Sequence, residues 1–278
     1  MINFKKILCA ILAVCLIFAL SGCVIKGNEE VKNTTKASSQ RNTITTTEAT
    51  TTTSTTVTSA TPTATTTKKK VTTTTATTVY RYPYAYAGFN PTETDMSVKF
   101  NKILLNRDHA LPDGYVPKLA EAVKGSGVKL DYRVAPYYQK MYDAALADGI
   151  TLEPISGYRS FERQKRNFEN EIKLYENKGF NKKDATVKAS QVVLLPGTSE
   201  HNAGLAMDIC SLSVDFENTK EFAWLQAHAH EYGFIMRYPK DKTEITKITY
   251  EPWHYRFVGV DIATELKQSG MVLEEYLS

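Results

Sequence analysis

Two imidazoles and two carboxylates stand out in this 278-residue sequence because of their spacing. His201 and Asp208 bracket the stretch Ser199-Glu200-His201-Asn202-Ala203-Gly204-Leu205-Ala206-Met207-Asp208, and His254 lies in Glu251-Pro252-Trp253-His254-Tyr255-Arg256. Three ligands of these types would leave the fourth tetrahedral position of a zinc ion to water, which is the catalytic arrangement. Glu251, three residues before His254, is near enough to share a cleft as a general base. On an ideal strand that odd spacing sends the two side chains to opposite faces. Pro252 signals an irregularity that would permit a common face. A third stretch, Ser156-Gly157-Tyr158-Arg159-Ser160, adds a guanidinium, with Gln164 one helical turn further on.

Cysteine takes no part in this chemistry. Cys9 and Cys15 sit in an apolar N-terminal run, Cys23 ends it, and Cys210 alone follows. A disulfide or a cysteine-based zinc site is therefore excluded from the later sequence, and a metal there must use His, Asp and Glu. His109, His228 and His230 read as structural.

The elements that position these residues are legible from periodicity and punctuation. Ala135–Gly149 carries Tyr138, Met141, Tyr142, Ala145 and Leu146 at helical spacing, with Gly149 at the C′ position. Ser160 N-caps a helix through Lys178, ended by Gly179, and Asn181 with Asp184 opens another that stops before Pro196-Gly197. Thr219–Tyr232 reads as one more helix, ended by Gly233. Leu152–Tyr158, Leu205–Cys210, Phe234–Tyr238 and Ile248–Val258 read as strands. Helices and strands alternate irregularly, so the expected class is α+β: a single domain over residues 80–278 with a small, mostly antiparallel sheet flanked by helices.

Charge divides the chain. Residues 1–79 hold 9 basic and 3 acidic side chains, and residues 80–278 hold 25 basic and 27 acidic. The part able to fold is slightly acidic, so nucleic acid is not an expected partner. Lys5 and Lys6 precede the uncharged run Ile7–Leu20, which is too short to span a bilayer but suits a secretory signal over residues 1–23. From Thr34 to Thr78, 24 of 45 residues are Thr, with no apolar periodicity. Residues 24–79 therefore read as a disordered stalk, and the ends of its Thr34–Thr78 stretch would lie on the order of 40 Å apart.

SEHNAGLAMD resembles the S-x-H-x-x-G-x-A-x-D signature of the VanY-type D-alanyl-D-alanine carboxypeptidases, within the M15 zinc metallopeptidases. EPWHYRFVG resembles their second signature, SGYRSFERQ a substrate-side segment, and Leu104–Ala120 and Ala229–Pro239 further blocks. The likeness covers roughly Leu104 to Gly259. It implies that His201, Asp208 and His254 bind one zinc ion and that Glu251 moves the proton of the attacking water. Arg159 would clamp the substrate carboxylate or support the oxyanion. Ser199 and Gln164 would hydrogen-bond substrate, and Trp253 would wall the pocket. Asn202 and Ala203 depart from the Gln-Thr expected between the ligands, which bears on substrate preference rather than ligation.

The function so implied is a D,D-carboxypeptidase acting, as a monomer, on peptidoglycan stem peptides. Its alternatives are an L,D-carboxypeptidase on tetrapeptide stems, an endopeptidase, or a non-catalytic wall-binding module. Leu20-Ser21-Gly22-Cys23 resembles a lipoprotein lipobox, which implies lipidation at Cys23 and a domain held on the outer face of the cytoplasmic membrane. Simple secretion is the alternative. Cys23→Ala should release the protein into the medium, or leave the signal uncleaved, with activity on soluble peptides unchanged. Metabolic labelling with a tagged fatty acid checks this, because a wild-type protein that takes up no label is not a lipoprotein.

Overall fold

The strands that must carry the ligands are short, and each is held by a turn or cap written into its flanks. The computed structural model describes Tyr82, Ala85, Tyr86 and residues 88–278. The signal, Cys23 and the Thr-rich stalk of the sequence reading lie outside the described residues. In chain order the elements are β1 (Thr92–Glu93), β2 (His109–Ala110), β3 (Leu119–Glu121), β4 (Lys129–Asp131) and α1 (Ala135–Ala147). Then come β5 (Pro154–Ser156), α2 (Phe161–Asn177), α3 (Lys182–Ala189), β6 (Ala206–Ile209) and α4 (Lys220–His228). The chain continues through β7 (Phe234–Tyr238), α5 (Thr243–Thr246), β8 (Glu251–Phe257), α6 (Val260–Ser269) and α7 (Leu273–Tyr276). The class is α+β.

The central sheet is four-stranded and antiparallel, in the order β5-β6-β8-β7. Two small ribbons, parallel β1–β2 and antiparallel β3–β4, accompany it. Alternation along the strands divides the labour between the two faces. Met207 and Ile209 of β6 and Tyr255 and Phe257 of β8 enter the main core, with Leu130, Tyr138 and Met141 of β4 and α1. Their neighbours Asp208, His254 and Arg256 are also buried, on the other face. A sheet face that would ordinarily meet water thus carries buried charge.

Caps explain the helix starts. Ser160 Oγ accepts from the Arg163 N–H at 3.2 Å, Asn181 Oδ1 from Asp184 at 3.0 Å, and Thr219 Oγ1 from Phe222 at 3.2 Å. Each satisfies one of the amides a first turn leaves unpaired. The long helix expected over Thr219–Tyr232 is α4 followed by a separate 3-10 turn at Ala229–Tyr232. The strands expected over Leu152–Tyr158 and Ile248–Val258 contract to β5 and β8. Tyr82 and Tyr86 pack on the α2–α3 cluster, Tyr86 edge-on to Phe168 at 4.8 Å.

Gly157, just after β5, is a point of close backbone approach. A Cβ there would stand 2.2 Å from the Lys129 carbonyl oxygen, which accepts from the Tyr158 N–H at 2.6 Å. Neither backbone can retreat without opening the β4–β5 contact. Gly157→Ala should therefore cost about 3 kcal/mol, at the upper end of ordinary overpacking. Urea denaturation of the purified protein measures it, with a lowered midpoint and an unchanged slope as the expected result.

Candidate metal centre and active-site cleft

Asp208 and His254 are direct cross-strand partners in the β6–β8 pairing, so their side chains rise together from one face. His201 arrives from a 3-10 turn at Glu200–Ala203, whose N-cap Ser199 accepts from the His201 N–H at 3.3 Å. Gly204 closes that turn with φ +68°, and a Cβ there would stand 2.6 Å from the Asp131 amide nitrogen. Only glycine meets both conditions. The result places His201 Nε2 and His254 Nδ1 each 3.3 Å from Asp208 Oδ1.

This convergence fits a metal ion. His201 Nε2 and Asp208 Oδ1 are buried without a hydrogen-bond partner, although groups so buried ordinarily have one. Their separation is that of ligand atoms around a tetrahedral ion with bonds of about 2.0–2.1 Å, namely about 3.3 Å. The outer nitrogens are engaged elsewhere. His201 Nδ1–H donates to the Gly157 carbonyl at 2.7 Å, and His254 Nε2–H to Glu200 Oε2 at 3.2 Å. Each acceptor selects the tautomer that turns a lone pair inward, the usual support for a metal-binding histidine.

Glu200 is the residue that reading the motif overlooked. Its carboxylate is fully buried, taking Arg237 Nε at 2.7 Å and Arg256 Nη1 at 2.9 Å on Oε1 while Oε2 holds His254. Arg237 also forks onto Glu274 of α7 at 2.8 and 2.6 Å. Arg256 completes its contacts on the Phe257 and Ile103 carbonyls. The signal was present in the sequence, since an arginine amid Phe-Ile-Met-Arg-Tyr is a charge in an apolar strand and implies a buried partner.

Arg159 lies against the ligands rather than apart from them. It donates through Nη2 to Asp208 Oδ2 at 2.9 Å, through Nε to Ser156 Oγ at 3.1 Å and through Nη1 to Gln164 Oε1 at 3.1 Å. Three of its five N–H groups are thereby used, which leaves two for a ligand. Gln164 is almost wholly buried and gives its amide N–H to the Leu194 carbonyl at 2.6 Å. Both its ends are occupied, so its place in the site is that of a brace for Arg159. Asn202 is also buried, accepting from the Gly197 N–H and donating to the Arg159 carbonyl, both at 2.8 Å. It too positions Arg159, whose side chain is 15% exposed.

Glu251 is near-buried, with Oε2 3.6 Å from His254 Nδ1. A bulge brings it there: Met236 pairs with Tyr255 but Tyr238 pairs with Glu251, so Arg237 alone faces Pro252, Trp253 and His254. Strand alternation is suspended over that step, and Glu251 and His254 both line one cleft. The cleft, of about 490 Å³, is also lined by Ser199, Trp253 and Arg159, and continues along α2 past Arg163, Asn167 and Glu171. His109 bonds Asn106 and His228 pairs with Glu231, both away from the ligand cluster.

The site's titration is set by burial and neighbours. Burial, together with the Arg159 charge, pulls the His201 imidazole down to about 4, so it is neutral and able to ligate. Burial also disfavours charge on His254, but Asp208, Glu200 and Glu251 outweigh it and raise the ring to about 9. Metal binding therefore releases a proton from His254 near neutral pH. Burial lifts the Glu251 carboxyl to about 8, with Asp208 and Glu200 adding to the effect against His254 and Arg159. Burial opposes ionisation of Glu200 as well, yet Arg237 and Arg256 hold it well below the carboxylate range.

Comparison with known proteins adds to this geometry. Residues 127–260 match the family model for VanY, D-alanyl-D-alanine carboxypeptidase. A D-alanyl-D-alanine carboxypeptidase of Enterococcus faecalis is 40% identical over 180 residues, which are 65% of this chain and 66% of that protein, just under two thirds of its length. A solved vancomycin-resistance D,D-pentapeptidase, VanY from a VanB-type cassette in complex with Zn(II), is 39% identical with a TM-score of 0.58. The match covers 65% of this chain and 100% of that one. The solved LdcB LD-carboxypeptidase is 36% identical with a TM-score of 0.57, covering 69% and 91%.

Glu200→Ala would leave Arg237 and Arg256 buried with too few anions, an effect of about 3–5 kcal/mol. Urea denaturation of the metal-free protein should show that loss. Because the folded-state values of Glu200 and Glu274 lie below the ordinary 4.5, the unfolded chain binds more protons below that pH. Their contribution to stability is present above about pH 4.5 and falls away in more acid solution. Thermal melts between pH 7 and 3 should show the decline, and Glu200→Gln should make it shallower.

Proposed function

The chain belongs to the VanY family of D-alanyl-D-alanine carboxypeptidases, and on that footing we propose that it is a zinc-dependent D,D-carboxypeptidase. Its substrate is the peptidoglycan stem peptide, from which it removes the terminal D-Ala. The observation that carries this reading is the convergence of three buried ligand atoms with the Glu251 carboxylate 3.6 Å away at the wall of a cleft. Zinc, bound by His201, Asp208 and His254, supplies Lewis acidity at the scissile carbonyl and water acidified to a pKa of about 7.

The chain's own groups do the rest. Glu251 accepts the proton of the attacking water and returns it to the leaving amine nitrogen. Burial raises that carboxyl above the usual carboxylate range, which favours its protonated form and so the return of the proton to the leaving amine. Arg159 offers its two remaining N–H groups to the terminal carboxylate, in a fork matched to two oxygens. Its bond to Asp208 and its braces, Gln164 and Asn202, keep that fork in register with the ligands. Ser199 and Trp253 line the same cleft and contact the substrate's last residues. From Gln164 to Glu171 the cleft follows about 10 Å of α2, which leaves room for the body of the stem.

A second reading is an L,D-carboxypeptidase acting on tetrapeptide stems. It is supported by the likeness to LdcB and by a cleft that continues past the ligands along α2. The proposed setting is a Cys23-anchored protein outside the cytoplasmic membrane. A flexible tether there lets the domain sweep a polymer that cannot diffuse to it.

Incubation with defined stems separates the readings. Loss of one D-Ala from the pentapeptide is expected; cleavage of the tetrapeptide alone selects the second reading, and inertness toward both leaves a wall-binding module. Chelation should abolish hydrolysis and zinc restore it. Glu251→Ala should keep zinc and lose about 10²–10⁴ in kcat. Loss of zinc from that variant would show that Glu251 is not the base.

A further inference from the structure

Glu274 stands on α7, beyond the last residue of the family match at 260, yet it is joined to the metal ligands by an unbroken series of buried and part-buried contacts. Its carboxylate takes both terminal nitrogens of Arg237, at 2.8 and 2.6 Å, and Asn106 Nδ2 at 3.3 Å. Arg237 gives Nε to Glu200 Oε1 at 2.7 Å, and Glu200 Oε2 receives the N–H of His254 at 3.2 Å. His254 presents its other nitrogen to Asp208 and the cluster. Arg237, Arg256 and Glu200 are wholly buried, and Glu274 is 13% exposed at its side chain.

Charge balance gives this chain of contacts a consequence. Two guanidiniums meet one carboxylate at Glu200, so without Glu274 an uncompensated positive charge would sit behind His254, facing a dication. That charge would draw Glu200 toward Arg237 and weaken its hold on the His254 N–H. A histidine that donates less strongly to its carboxylate is a poorer ligand, and disturbing such outer contacts typically costs 10–100-fold in metal affinity.

Resting on the metal-centre reading above, we propose that Glu274 is a positioning residue for the metal site. Acting through Arg237 and Glu200, it sets the orientation of His254 and its bond to Glu200, so that docking of the C-terminal α7 completes the centre.

The test uses the full chain, stripped of metal, with zinc affinity measured by competition against a chromophoric chelator and coordination followed in the visible spectrum of the cobalt-loaded protein. Glu274→Gln should bind zinc about tenfold more weakly and show a shifted cobalt spectrum. Arg237→Lys keeps the charge but replaces three nitrogens in a fixed fork with one ammonium on a shorter side chain, and should weaken zinc similarly; it carries the test alone should Glu274→Gln fail to fold. The control is Glu275→Gln. Glu275 lies on the same short helix but pairs with Lys242 at 3.0 Å and with the Val272 N–H at 2.9 Å. Its loss loosens α7 without touching Arg237, so zinc affinity should stay at the wild-type value. Wild-type affinity and spectrum in folded Glu274→Gln or, failing that, in folded Arg237→Lys would overturn the proposal. So would an equal weakening in Glu275→Gln, which would reduce the effect to helix docking. A protein that binds zinc in this pattern but cleaves no stem peptide retains this inference and refutes the hydrolase reading.

Discussion

Asp208 faces His254 across one step of the β6–β8 ladder, with His201 turned in from the side, and each nearest approach is 3.3 Å. Three electron-rich atoms buried so close together repel one another and lack water to solvate them. That arrangement is tolerable only if positive charge, a cation at their common focus or a proton on His254, offsets them and every outward-facing atom has a partner of its own. The surrounding structure meets the second condition. Gly157 takes the far nitrogen of His201, Glu200 that of His254, and Arg159 the second oxygen of Asp208.

Meeting it imposes further constraints at each remove. Glu200 has to be ionised in a dry interior, which requires Arg237 and Arg256. Those guanidiniums in turn require Glu274 and a set of backbone carbonyls. Gly157 has to offer its carbonyl from a position where its backbone touches that of Lys129, which excludes any side chain. Arg159 has to approach Asp208 without filling the cleft, so Gln164 and Asn202 secure it from behind. A sheet of four short strands can hold so much charge on one face because its other face is packed against α1 in a continuous apolar core. The core supplies the free energy, and the polar network uses part of it to fix a geometry.

The Glu251–His254 pair shows how a departure from regularity serves the site. Regular alternation would have turned these side chains to opposite faces. Pro252 cannot donate to a ladder, and the β7–β8 pairing skips two residues there. The skip puts an acid next to a ligand without placing it in the ligand set. The two acids of the site thus differ in environment. Asp208 is held charged by His201, His254 and Arg159 in spite of its burial, while burial pushes Glu251 upward. Two carboxyl groups driven apart in this way are suited to different roles, one as ligand and one as proton carrier.

How much of this was legible in the chain itself follows from the range of each interaction. Ser160, Asn181 and Thr219 act within one turn, so the helix starts were readable from neighbouring residues. The apolar stripe of α1 and the punctuating glycines were equally local. The ligand types His201, Asp208 and His254, and Glu251 beside them, stood out as a motif, because chemistry restricts which residues can occupy such positions. The strand limits and the division of Thr219–Tyr232 into a helix and a 3-10 turn were less legible, since pairing partners and packing set them. Arg237 in an apolar strand implied a buried partner, but that the partner is Glu200, that Gln164 braces Arg159, and that Glu274 reaches the same network could not be read. Each depends on which residues, 37 to 56 positions apart in the case of Glu200 and its two arginines, are brought together when the strands fold. Sequence by itself determined the donors and the local elements, because propensity and ligand chemistry are properties of single residues and near neighbours. Tertiary structure alone decided which charges compensate one another, because compensation requires contact and burial, and both are created only when the chain closes on itself.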